Sequence, residues 1–103
     1  MKNESIEKMI EKNLIILGLK KKMLDEIEKV ERLQLENHEA IINIINEKQI
    51  SNELRDKDLA EENDRYYQDK EKREIKNLVI LERIDKSLSM KEEELIYYQL
   101  LNK

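Results

Sequence analysis

Few side chains in this sequence are of a type that does chemistry. His38 is the only histidine and cysteine is absent, so the chain offers neither a thiolate nucleophile nor a cysteine zinc site. Leu35 stands where the Glu-x-x-His spacing of di-iron bundles would need a glutamate. A single glycine, Gly18, excludes a glycine-rich phosphate loop. We therefore expect no catalytic residue, no cofactor and no metal site, and we expect His38 to lie at the surface or at a helix junction.

A dense run of acids, DKDLAEEND, lies in the middle of the chain. It resembles a calcium loop in density, but Ala60 and Glu61 stand where an EF-hand needs a ligand and a glycine. Two interpretations remain. The run is a solvated helix face, or it imitates the phosphates of a nucleic acid, as in small inhibitors whose binding is driven by charge. The residues of this acidic face are Asp56, Asp58, Glu61, Glu62 and Asp64.

The composition predicts an all-α protein. Its 103 residues include no proline and one glycine, 43% are charged and 39% are hydrophobic. Because proline and glycine punctuate loops, a chain nearly free of both can continue through long helices. The net charge of −4 is mild, which disfavours direct binding of DNA or RNA. The lack of cysteine, of a membrane-spanning stretch and of a signal peptide predicts a cytoplasmic protein.

The first half of the chain predicts a long amphipathic helix. Within residues 5–50 an apolar residue recurs every seven positions, and a second such series runs beside it, which makes one broad apolar face. That face belongs to the protein's own core or to a coiled-coil partner surface, for example in a homodimer. The segment is one helix, or it breaks near Asn37 and His38 into a hairpin. The first series is Met9, Ile16, Met23 and Val30, and the second is Ile10, Leu17 and Leu24.

The second half predicts two or three further helices in the same domain. Residues 51–74 are mostly charged and predict a solvated helix or a mobile connector. Residues 75–88 carry apolar side chains at helical spacing and predict a core helix covered by the first helix. A short helix at residues 90–101 is expected to begin with a capping box of Ser89 and Glu92. Together these segments predict a coiled-coil-like bundle of three to four helices.

The last predicted helix is apolar nearly all round. Such a helix is expected to dock on the core, to form a dimer or to bind a protein partner. The expected partner-binding residues are Leu95, Ile96, Tyr97, Tyr98, Leu100 and Leu101.

The sequence ERIDKSLSMKEEELIYYQLLNK resembles the segment that leads into the DNA-reading helices of phage regulators of the ArpU/RinA type and of sigma factors. Ser87 replaces the alanine of the family pattern I-D-x-A-L, and Met90 stands one residue early for the following leucine. The recognition helix of the family is missing. The resemblance therefore implies a truncated or repurposed regulator that binds a protein and does not read DNA. The matching residues are Ile84, Asp85, Leu88, Glu94, Leu95, Ile96 and Tyr98.

The sequence NHEAIINIINEKQISNELRDKD resembles the middle of flagellar export chaperones of the FlgN/FliT type. Those are small helical proteins with a long antiparallel hairpin and an apolar C-terminal helix that holds an export client. The resemblance implies a cytoplasmic chaperone. It rests on Ile41, Ile44, Ile45, Lys48 and Gln49.

These observations predict a non-enzymatic protein that regulates or inhibits a protein partner, of phage or mobile-element type. The expected partner belongs to the transcription or nucleic-acid-processing machinery, such as RNA polymerase or a nucleic-acid-guided nuclease, the target of anti-CRISPR proteins. The alternative is the export chaperone.

Overall fold

The computed structural model describes residues 5–101, and nearly all of this range is α-helical. Helix α1 spans Ile6–Glu47, α2 spans Asn52–Ser87 and α3 spans Glu92–Leu101. The residues described contain no strand, which confirms the all-α prediction. Within the same range, none of the helices is both long enough and apolar enough to cross a membrane.

Both long helices run through positions where the sequence left a break open. Helix α1 continues through Asn37 and His38 as one helix of 42 residues, so the break proposed there is wrong. Helix α2 has 36 residues and joins the charged residues 51–74 to the apolar residues 75–88, so the charged stretch is helix and not a connector. No proline interrupts either helix, and packing overrides the modest helix propensities of Asn and His.

A serine caps the start of both long helices. Ser5 accepts a hydrogen bond from the amide three residues on at 3.2 Å, and Ser51 does the same at 3.3 Å. The first amides of a helix lack intrahelical acceptors, and each serine supplies one. Arg55, in the first turn of α2, donates to the carbonyl oxygen of Lys48 in the loop between the helices at 2.8 Å. This contact fixes the residue that follows α1 to the first turn of α2.

Internal contacts divide the chain into two compact units. The hairpin unit is Glu26–Asn77, and the terminal unit joins Met1–Asp25 with Leu78–Lys103. Residues 5–25 and 78–101 of the terminal unit are described.

In the hairpin unit, α1 and α2 pack antiparallel along a seam that is only partly apolar. Its buried side chains are Ile45, Tyr66, His38 and Glu62. Further along the seam, Glu31 accepts two hydrogen bonds from Arg73, at 2.7 and 3.2 Å. These bonds are the main cause of a lowered pKa for Glu31. The seam therefore pairs charges where a bundle core usually pairs apolar side chains.

The terminal unit is centred on Leu95, which is 0% exposed. Ile10 of α1 is also buried. Lys20 bridges two carboxylates, with its Nζ 2.8 Å from Asp85 and 2.5 Å from Glu92. The hydrogen bonds to Asp85 and then Glu92 raise the pKa of Lys20. The first turn of α3 is thus held by an ion pair and its fourth residue by apolar packing.

The apolar residues in the last part of α2 are covered only in part. Within the terminal unit, Leu81, Ile84 and Leu88 are half-buried, as a core helix predicts. Leu78 and Val79 are exposed instead. The expectation that α1 covers this whole face is therefore wrong for these two residues.

The predicted capping box at the start of the last helix is wrong. Helix α3 begins at Glu92, two residues after its predicted start. The hydroxyl of Ser89 accepts a hydrogen bond from the Asn13 side chain at 2.8 Å, and Glu92 pairs with Lys20. The side chains of Ser89 and Glu92 thus bind residues distant in sequence and do not cap the first turn of α3.

Asn13 organises the link between α2 and α3. Its Nδ2 donates to the carbonyl oxygen of Met9 at 2.7 Å and to Oγ of Ser89 at 2.8 Å. Its Oδ1 accepts from the amides of Ser89 at 2.8 Å and of Met90 at 3.3 Å. A carboxamide has two donor hydrogens and two acceptor lone pairs, so all of its capacity is used in a buried position.

Replacing Asn13 with alanine is expected to lower the free energy of unfolding by about 1–3 kcal/mol, because it removes the acceptor from two backbone amides. Urea denaturation followed by circular dichroism measures the change. Asn43 is an exposed asparagine on the same helix, and Asn43→Ala is the control, with an expected change within about 0.5 kcal/mol. Equal losses in the two variants would contradict the role assigned to Asn13.

Candidate functional site

The predicted partner-binding helix exposes four of its six apolar side chains. Leu95 is buried, so its prediction as a partner-binding residue is wrong: it anchors α3 to its own unit. Tyr98 is half-buried, and its ring meets that of Tyr97 edge to face at 6.0 Å. The remaining four form what we call the α3 patch. Their exposed fractions are 51% for Ile96, 56% for Tyr97, 65% for Leu100 and 60% for Leu101.

The α3 patch is continuous along the helix. Residues four apart are neighbours on a helix surface, so Ile96 adjoins Leu100 and Tyr97 adjoins Leu101. Glu93 precedes Tyr97 by four residues and places a carboxylate at the N-terminal edge of the patch. Contiguous apolar surface with a charged rim is typical of a protein-binding site.

The predicted acidic face does not form one surface. At 100° per residue, its five acids spread over more than half of the circumference of α2. Glu62 is only 7% exposed, so its prediction as part of an exposed face is wrong. Asp58 is half-buried and lines, together with Glu61, a groove of about 460 Å³ that also contains Lys48 and Arg65. Asp56 and Asp64 are exposed.

A buried polar cluster occupies the centre of the hairpin unit. His38 donates from Nδ1 to Oε2 of Glu62 at 2.9 Å. Arg65 donates to both oxygens of the same carboxylate, at 2.7 Å for Oε2, and to Asp69 at 3.1 Å. The ring of Tyr66 stacks on His38 with centroids 4.2 Å apart and planes 15° apart.

The charges of the cluster stabilise the ionised form of Glu62. The hydrogen bonds from Arg65, and to a smaller extent the one from His38, lower the pKa of Glu62 to about 2, although burial opposes the shift. The same carboxylate raises the pKa of Arg65. The cluster is therefore a fixed ion pair at working pH. Both oxygens of the Glu62 carboxylate already accept hydrogen bonds within the cluster, from His38 and Arg65.

Sequence reasoning missed this cluster although a signal was present. Glu31, His38 and Ile45 lie seven residues apart. Ile27 precedes them by four residues, and Gln34 and Ile41 lie between them at steps of three and four. This spacing is that of a helix seam. The polar residues concealed it, because charged and polar side chains are usually exposed. His38 is buried, so its prediction as a surface residue is wrong.

The stability of the hairpin unit is expected to fall in acid. A carboxyl whose folded pKa is depressed contributes stability that is present above its unfolded pKa and is lost as the pH falls through the folded pKa. For Glu62 this window runs from about pH 4.5 down to about 2. We expect a loss of about 1–2 kcal/mol, less than the full shift implies, because the Arg65 side chain is 40% exposed and water screens its charge.

Urea denaturation at several pH values between 6 and roughly 2.5 measures this dependence. The variant Glu62→Gln cannot titrate, and its stability is expected to vary less with pH over this window. An equally steep acid loss in Glu62→Gln would assign the effect to other carboxylates.

No group of three His, Asp or Glu side chains among residues 5–101 is placed to hold a metal ion. Comparison of the chain with family models, with curated proteins and with solved structures found no match.

Proposed function

We propose that the protein acts without catalysis, by binding a protein partner through the α3 patch, and that the binding regulates or inhibits the partner. The observation that carries this proposal is the exposure of four neighbouring apolar side chains on a ten-residue helix. Leaving them in water costs free energy of about 25 cal/mol per Å² of apolar surface. A partner that covers the patch recovers this energy.

The support for a regulator comes from the position of the patch. It lies in the segment that resembles the phage ArpU/RinA-type and sigma-like regulators. Four residues of that resemblance belong to α3, namely Glu94, Leu95, Ile96 and Tyr98, and Ile96 is one of the four residues of the α3 patch. The proposed partner belongs to the transcription or nucleic-acid-processing machinery in the cytoplasm. The acidic face is the weaker part of the proposal, because Glu62 is buried and Glu61 shares its groove with two bases.

An export chaperone is the second candidate. The observation that favours it is the same exposed patch, since an apolar C-terminal helix is what holds the client in the FlgN/FliT resemblance. The two candidates differ in the bound protein and agree on the binding residues. The identity of the partner therefore decides between them.

The first experiment is a tagged pull-down from host lysate with mass spectrometry, comparing three forms of the protein. The forms are the unchanged chain, Leu100→Asp in the patch and Leu78→Asp on α2. Leu100 and Leu78 are matched in exposure, at 65% and 66%. Circular dichroism verifies that both variants keep their helix content.

The proposal expects a protein that the unchanged chain and Leu78→Asp recover and that Leu100→Asp loses. Titration of that purified protein should show a dissociation constant weakened at least about tenfold by Leu100→Asp, which corresponds to about 1.4 kcal/mol. RNA polymerase or a nuclease as the partner supports the regulator, and an exported subunit supports the chaperone. A partner that Leu100→Asp retains overturns the assignment of the patch.

The acidic face is tested separately with Asp56→Asn and Asp64→Asn. If binding to a nucleic-acid enzyme depended on phosphate mimicry, this pair of changes would weaken it, and added salt would weaken binding of the unchanged chain steeply. If the protein binds through the α3 patch, we expect the two substitutions and added salt to change the affinity for the partner little.

A further inference from the structure

A second stripe of side chains on α1 of the hairpin unit is uncovered. Its members follow one another at alternating steps of three and four residues, which places them in one line along the helix. We call it the outer seam. It consists of Val30, Leu33, Asn37, Ala40 and Ile44. All five are exposed, and the exposed fractions of Leu33 and Ile44 are 62% and 56%.

The outer seam lies on a different side of α1 from the seam that is buried against α2, and its last residue, Ile44, also lines the groove that contains Glu62 and Arg65 of α2. His38 and Ile45 mark the direction of α2, because both are buried in the hairpin. At 100° per residue, the outer seam lies about 80–160° round the helix from His38. The hairpin leaves all five of its side chains exposed. The unit buries few apolar side chains of its own, namely Ile45 and Tyr66.

The residue types of the outer seam are typical of a parallel two-stranded coiled coil. Written as a heptad, Val30, Asn37 and Ile44 are at a positions, and Leu33 and Ala40 are at d positions. β-Branched residues at a with leucine at d favour two parallel strands. From this pattern we propose that the outer seam is the interface of a parallel, in-register dimer with a second copy of this chain.

Asn37 gives the strongest reason for a second copy. An asparagine amide against an apolar partner surface would lose its hydrogen bonds with water and gain none. In a parallel in-register pair, each a residue faces the same residue of the other strand, so Asn37 meets Asn37 of the second copy. A lone asparagine at an a position is a known device for fixing register and strand number, at some cost in stability.

The charges beside the seam are compatible with this arrangement. In a parallel pair each g residue faces the e residue five positions on in the other strand. Lys29 would face Gln34 of the second copy, and Glu36 would face Ile41 of the second copy. Neither pair brings like charges together. In sequence the same sevenfold series begins earlier, at Met9, Ile16 and Met23.

A cross-linking experiment tests both the contact and its direction. The chain has no cysteine, so Asn37→Cys introduces a single thiol. Asn46→Cys is the control, because Asn46 is also an exposed asparagine of α1 but lines a groove on the other side of the helix. A disulfide requires Cα atoms within about 7 Å. Under mild oxidation, Asn37→Cys is expected to form covalent dimers at least about tenfold faster than Asn46→Cys.

Sedimentation equilibrium tests the dimer without cross-linking. The unchanged chain is expected to have twice its formula mass, and Leu33→Asp is expected to weaken the dimer at least about a hundredfold, because it buries a charge at the interface. Leu35→Asp is the control. Leu35 is 44% exposed on the same helix but outside the seam, so its dimer should persist. Circular dichroism verifies helix content.

Different outcomes contradict the dimer itself and its parallel register. A monomer at all concentrations, or equal cross-linking of the two cysteine variants, overturns the proposal. A dimer that Asn37→Cys fails to cross-link overturns the parallel register. Leu100→Asp, which disables the α3 patch, should leave the dimer intact, so this inference stands or falls independently of the proposed function.

Discussion

Leu95→Ala is expected to destabilise the terminal unit by about 2–5 kcal/mol, the range for removing a fully buried leucine from a core. Leu95 is 0% exposed, whereas the other leucines of α3 are exposed. Most of the apolar attachment of α3 to its unit therefore passes through this one side chain.

The consequence should reach the whole of α3. The helix has ten residues, and isolated helices shorter than about 12–15 residues are marginal in water. Once its anchor is reduced to a methyl group, α3 is expected to lose helical structure and the α3 patch its geometry. Partner binding should weaken even though Leu95 does not reach the patch surface.

Far-UV circular dichroism and urea denaturation measure both effects. Leu100→Ala is the control, because it truncates an exposed leucine of the same helix, with an expected change within about 0.5 kcal/mol. A loss of less than about 1 kcal/mol for Leu95→Ala, close to that of the control, would show that other contacts hold α3.

The contrast between buried Leu95 and exposed Leu100 also shows which features of the last helix could be predicted from the sequence and which could not. That the last helix carries an apolar surface follows from its composition. Which side docks does not, because a helix apolar nearly all round has no periodic signal to separate the two sides. The docking side is chosen by residues far away in sequence, such as Asn13 and Lys20, which fix the start of α3.

The same limit applies to the long helices. Their existence was predictable because the chain lacks proline and has a strong sevenfold apolar series. The side of α1 that packs against the rest of the chain was not predictable, since it carries polar side chains at Asn13, Lys20, Glu31 and His38. Each of these residues has a specific partner on another helix or on the linker. These partners are 24 to 77 residues away in sequence, so a pattern of neighbouring residues cannot reveal them.

These interruptions have a common physical role. A seam of aliphatic side chains tolerates sliding of one helix along another, whereas a buried polar pair is satisfied at one register only. Arg73 with Glu31 and His38 with Glu62 set the register of the hairpin unit at two levels. Each polar pair occupies a position where an aliphatic side chain would otherwise be buried, so the seam of the hairpin unit buries little apolar surface.

The buried carboxylate of the hairpin unit leads to the second large prediction. Glu62→Ala is expected to lower the free energy of unfolding by about 2–4 kcal/mol. The change removes the acceptor of His38 and Arg65, and breaking a buried ion pair leaves its partner charge without compensation. We place the loss below the largest values known for such pairs because Arg65 is 40% exposed at its side chain and can turn to water.

Glu61 offers a matched control one residue away, since it is an exposed glutamate on the same turn. Glu61→Ala is expected to change stability by no more than about 0.5 kcal/mol.

A double-mutant cycle separates the ion pair from the packing of the glutamate side chain. If Arg65 acts mainly through Glu62, Arg65→Ala in the Glu62→Ala background should cost less than in the unchanged chain, by a coupling energy of about 1–3 kcal/mol. Urea denaturation near neutral pH supplies all four values, because Glu62 is ionised there. A coupling near zero would mean that the short contacts between the two side chains contribute nothing to folding. The register of the hairpin would then rest on Arg73 and Glu31 and on the stacking of Tyr66 against His38.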